Sequence, residues 1–200
     1  MPLHVSQAPA PALRSVLMAL GSAAVREAHT PALRSVQGPL SPELPLPVHE
    51  LDVLDVRDQI VPPAGAPRTR LTGWRFLIRG GDRPVAAADT RLTPDGWAFS
   101  HFFEGPYLAS TERALHQAET MTTHYQPRLL SVPELYMLTL WLHGDPDADP
   151  ATGSPAPTDL LVPLAPAPPG IAAHLPYRVA DLLPVLTLRL GPPPLLESTA

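Results

Sequence analysis

The chain reads as an α+β domain: an antiparallel sheet of about five to six strands with helices packed mainly on one face, preceded by a proline-rich N-terminal extension. Three observations predict it. Residues 72–103 alternate apolar and polar side chains between turn signals, which is the mark of a strand meander. Residues 110–121 carry their apolar positions at helical spacing. The 29 prolines gather in tracts that leave ordered segments between them.

Element by element, Leu13, Val16, Leu17 and Leu20 fall on one stripe and predict an N-terminal helix. The hexapeptide Pro-Ala-Leu-Arg-Ser-Val occurs at Pro11–Val16 and again at Pro31–Val36, too few copies for a solenoid. Pro39, Pro42, Pro45 and Pro47 block backbone donation at close intervals, so residues 1–47 read as a helix and linker, with the globular domain at 48–190 and a tail at 191–200. Between Glu50 and Asp58 no period decides between strand and helical turn. Thr72, Trp74, Phe76 and Ile78 then face one way and Arg75 and Arg79 the other, predicting buried aromatics beneath a solvated arginine face.

Gly80-Gly81-Asp82 turns this strand into a second over Val85–Leu92, and Pro94-Asp95-Gly96 turns that into a third. On the third, Trp97, Phe99, His101 and Phe103 alternate against Ala98, Ser100 and Phe102. A helix capped by Ser110 buries Leu115, Ala118 and Met121. Two further strands follow over Tyr125–Val132 and Leu135–His143, the second apolar on both faces and therefore central, with Asp159–Leu164 as its partner. The final helix, Tyr177–Leu190, meets Pro184, which should kink or interrupt it.

Absent residue types narrow the chemistry. Without Cys there are no disulfides, thiolate metal sites or thiol nucleophiles. All 14 basic residues are Arg, which removes the P-loop lysine and lysine Schiff bases, and the absence of Asn removes Asn-linked glycosylation. A net charge of -5 argues against nucleic acid and anionic membrane as partners. Nothing reaches the length of a bilayer span, so the expected location is cytoplasmic, with Val16–Val25 as a weaker export signal. A core of this size needs no cofactor or metal to fold.

Four constellations are candidate sites. His101 and Glu104, beside Ser100 and Tyr107, could form an acid-base pair, because imidazole titrates near neutrality and a carboxylate can fix its tautomer, but His101 shares a strand face with Trp97, Phe99 and Phe103, so a hydrogen-bonded core or rim histidine is favoured. Arg75 and Arg79 could bind the carboxylates of a protein partner with an acidic surface. His143, Asp145, Asp147 and Asp149 suit a hard cation, but Pro150 and Ala156 stand where an EF-hand needs Gly and Glu, so a solvated acidic loop is favoured. Glu112 and His116, at helical i and i+4, read as an exposed pair.

Gly73-Trp74-Arg75-Phe76-Leu77-Ile78, Leu140-Trp141-Leu142-His143 and Asp159-Leu160-Leu161-Val162-Pro163-Leu164 resemble a hypothetical-protein family of GC-rich bacteria over about Val48–Leu190. That family has no assigned activity, so the resemblance implies no functional residues. The expected function is a non-enzymatic binding or protein-interaction domain; the alternative is an acid-base or metal-assisted hydrolase using His101 and Glu104.

Overall fold

The computed structural model describes residues 2–27, 30–52 and 68–190. Eight described strands form one mixed sheet: β1 (Leu40–Leu51), β2 (Thr69–Gly80), β3 (Arg83–Thr93), β4 (Gly96–Phe103), β5 (Gln126–Val132), β6 (Met137–His143), β7 (Leu160–Pro163) and β8 (Tyr177–Arg178). Their spatial order is β4-β3-β2-β1-β5-β6-β7-β8. Every neighbouring pair is antiparallel except β1 and β5, which run parallel through only Val48, His49 and Glu50 against Leu129, Leu130 and Ser131. The sheet is thus two four-stranded meanders joined along one short parallel seam. It is larger than expected, and mixed where an antiparallel sheet was expected.

The strand β1 occupies the segment read above as linker, with the expected boundary at Pro47 falling inside it. Its prolines are tolerated because residues 40–47 pair with β2 alone, and a strand with one free edge does not need every N–H in a ladder. A register shift between Glu43 and Leu46, with Leu44 at φ 48°, accommodates Pro45. The predicted strand at Thr72–Ile78, the two hairpin turns that follow it and the pairing of residues 139–142 with 160–163 all match the structure. At Gly73 the backbone passes so close to β3 that an added Cβ would sit 2.0 Å from the Thr90 carbonyl oxygen, so only Gly fits.

Helices cover both faces, not mainly one. The crossover helix α4 (Pro106–Glu119) buries Ala114, Leu115 and Ala118 on the face that carries Leu77, Leu129 and Leu140. The opposite face carries Trp74, Phe76 and Ile78 beneath α1 (Ala10–Leu20) and α3 (Pro31–Ser35), and Leu130, Trp141 and Leu161 beneath α5 (Val179–Leu190). A short turn of helix, α2 (Ala24–Glu27), links α1 towards α3. Sheets whose strands are apolar on both sides require this arrangement. Seven consecutive β6 residues show the pattern, with all but His143 buried.

Three local expectations are corrected. The buried stripe of α1 is Ala12, Val16 and Ala19, whereas Leu13 and Leu17 are exposed. The bulky aromatic surface below takes small residues at close approach and turns the leucines outward. Ser110 does not cap α4, which begins four residues earlier; its buried hydroxyl accepts the Ala165 N–H at 2.7 Å and lies 3.2 Å from His174 Nε2. Finally, α5 is not interrupted at Pro184, its sixth residue, but continues to Leu190 without the N–H that proline lacks. The undecided segment after Asp52 and the proline tail beyond Leu190 lie outside the described residues. Among the described residues no helix is long and apolar enough to cross a membrane.

Candidate functional site

The site is built by a β-bulge. Pairing of β3 with β4 slips between Asp89 and Thr90, so that Asp89 faces His101 while Thr90 faces Phe99 and Ser100 is left over. An extra residue inverts the alternation beyond it. Trp97, Phe99 and Phe102 therefore join the core under α1, while His101 and Phe103 emerge on the α4 face. The simple alternation expected for residues 97–103 is broken at Ser100.

On that face Arg75, Asp89 and His101 stand in one row across β2, β3 and β4. Arg75 Nε and Nη2 donate to the two Asp89 carboxylate oxygens at 2.8 and 2.9 Å. The guanidinium also lies 4.4 Å from the Phe103 ring centroid, a cation–π distance. Arg75 is only 13% exposed and Asp89 20%, so this is a partly desolvated, two-point ion pair. The solvated arginine face expected of β2 is absent at this position. Arg79 is likewise engaged, 3.5 Å from Glu43 and donating to the Asp82 carbonyl. An acidic protein partner would therefore find both arginines already held by internal acceptors.

The row separates two cavities. One, of about 470 Å³, is walled mainly by Phe103, Tyr107, Pro133, Tyr136, Met137 and Leu138, with Arg75, His101 and Ser131 as its polar groups. The other, of about 630 Å³, is polar, with Glu50, Arg70, Asp89, Arg91, Ser100 and His101 around it. Tyr107, on the first turn of α4, has its hydroxyl 2.8 Å from the Tyr136 carbonyl and 3.1 Å from that of Pro166, donating to one at a time. Burial raises the Tyr107 pKa and the nearby Arg75 charge opposes that rise, so the phenol stays a donor at neutral pH. These bonds fix Tyr136, itself 87% exposed and left-handed at φ 49°, at the cavity rim.

The expected His101 and Glu104 pair does not form. His101 is exposed and 3.1 Å from the Ser100 hydroxyl through Nδ1. Glu104 Oε2 instead accepts the Ala32 N–H at 3.0 Å, securing α3. Nor do Asp145 and Asp149 converge on a cation: each accepts a backbone N–H two residues on, that of Asp147 at 3.0 Å and of Ala151 at 2.9 Å. Among the described residues no group of three His, Asp or Glu side chains has the arrangement of a metal site. Glu112 and His116 are not paired; His116 lies 3.7 Å from Glu119, and both are on the surface.

A second polar cluster, on the opposite face, was not legible from spacing. Arg128 is 0% exposed and donates to the Gln126 side-chain oxygen at 2.6 Å and to the Thr152 and Asp149 carbonyls at 2.7 and 3.1 Å. Burial pulls its pKa down while Asp159, Asp149 and Asp145 pull it up, and an arginine stays charged throughout. His49 donates through Nε2 to the Pro150 carbonyl at 2.9 Å; burial, above all, lowers its pKa to about 4. Asp159 accepts from Trp141 Nε1 and His143 Nδ1, both at 2.8 Å, and from the Gly144 and Ala156 N–H groups, both at 3.0 Å. These side chains pin residues 144–158 over the β1/β5 seam. Gly153, at φ 104° and with its Cβ direction 3.4 Å from Arg128, is where the loop bends past the guanidinium. With none of its buried side-chain nitrogens and oxygens lacking a partner, the cluster is a fastening.

Compared with known proteins, the chain matches no family model, no curated protein and no solved structure.

Proposed function

We propose that this chain is a binding domain that takes a small organic molecule with a mainly apolar body in the cavity between Phe103, Tyr107 and Met137. The observation that carries this reading is the bulge at Ser100, which brings His101 and Phe103 to the same side as an apolar cavity of about 470 Å³. That volume lies within the range of small-molecule sites, and an apolar wall with a few convergent polar groups is their usual composition. Binding is favoured over acid-base catalysis because Glu104 is spent on the Ala32 N–H, leaving His101 without a carboxylate to orient it.

The experiment is an NMR titration of the full chain with 1-octanol, following the Met137 methyl and the Phe103 ring. Saturable shifts at both are expected. Ser131→Trp, which projects a large side chain into the cavity from β5, should abolish them while the remaining spectrum stays folded. Absence of saturable shifts in the unmodified chain overturns the proposal.

A further inference from the structure

We infer that the ligand is an amphiphile with a single carboxylate head, the head lying in the polar cavity against Arg91 and the apolar body in the neighbouring cavity; this rests on the binding reading above. The two cavities share His101, and the ion pair that separates them contributes Arg75 to one and Asp89 to the other. A molecule lying across His101 would therefore touch both.

Charge decides the head group. Within the polar cavity, Arg70 is answered by Glu50 at 3.2 Å, and Asp89 by Arg75 at 2.8 Å. Arg91 is exposed, and among the described residues its side chain has no hydrogen bond or ion pair. The balance left over is one guanidinium, with His101 as a further donor or acceptor beside it. A planar monoanion matches one guanidinium fork. A dianionic phosphate matches less well, because with Glu50 and Asp89 already paired one guanidinium is the whole balance and the second charge would have no counter-charge. At the other end Phe103, Tyr107, Met137 and Leu138 offer no fixed charge, since the Arg75 charge is already neutralised in place by Asp89.

Titration calorimetry on the full chain with octanoate, 1-octanol and octyl phosphate at matched ionic strength tests this. Octanoate should bind about fivefold more tightly than octanol, as a partly exposed ion pair allows. In Arg91→Gln that preference should vanish while octanol binding persists, and Ser131→Trp should remove both. Equal binding of octanol and octanoate by the unmodified chain would overturn the carboxylate head and leave the apolar cavity standing. Tighter binding of octyl phosphate would also overturn it, in favour of a phosphate head. No binding of any of the three would remove the binding reading itself.

Discussion

The two faces of the β1/β5 seam are built from the same kinds of residue and end in opposite states. On one face Arg128 lies 4.8 Å from the Trp141 ring and is sealed under residues 144–158. On the other, Arg75 lies 4.4 Å from the Phe103 ring beside open cavities. What differs is the acceptor. Arg128 donates to backbone carbonyls of a loop and so commits that loop, whereas Arg75 donates to a carboxylate on the adjacent strand and commits nothing outside the sheet. An arginine on an aromatic ring is thus a fastening or a site wall according to whether its partners close over it.

Breaking the sealed side should have the largest effect. Arg128→Ala would leave the Thr152 and Asp149 carbonyls and the Gln126 amide without their donor, and should cost about 4 kcal/mol, as breaking buried charged networks does. Denaturant unfolding measures the loss, and limited proteolysis should show cleavage moving into residues 144–158.

Acid attacks the same face through His49, which is 1% exposed and has a pKa of about 4 against an ordinary 6.5. Between those values the unfolded chain binds the proton and the folded chain does not. The stability that His49 contributes is therefore full above pH 6.5, declines as pH falls and is lost below pH 4, a change of about 3 kcal/mol. Unfolding midpoints from pH 7 to 4 follow it. In His49→Phe that part of the slope should disappear.

On the open side the effects should be smaller. Asp89→Asn turns a two-point ion pair into a neutral contact and should cost about 2 kcal/mol, measured by thermal unfolding. It should also weaken octanol binding by loosening Arg75 from Phe103. His101→Ala, at an exposed position, should change stability by no more than about 0.5 kcal/mol yet alter affinity for octanoate. A large stability loss there would erase the contrast between the two faces.

Much of the strand pattern could be read from the chain because it depends on neighbours in sequence: the turns at Gly81 and Gly96, and the alternation through Trp74, Phe76 and Ile78. The first strand could not, since its prolines are acceptable only if one edge is unpaired, a property of the assembled sheet. The candidate site was half visible. His101 and Arg75 stood out as residue types, but their meeting depends on a single surplus residue at Ser100, which shifts pairing without leaving a mark in composition. Arg128 and Asp159 gave no signal because their partners are mostly backbone groups, which every residue supplies.

The seam of three residue pairs also sets an order of assembly. Hairpins within each meander close short stretches of chain, whereas joining Val48 to Leu129 closes about 80 residues and carries a larger entropy cost before any contact compensates it. Each meander should accordingly gather first and the halves dock afterwards. Because the apolar cavity takes Arg75 and Phe103 from one half and Ser131 and Met137 from the other, the ligand site is completed only at that last step, and a bound molecule would slow the halves' separation more than the opening of any single hairpin.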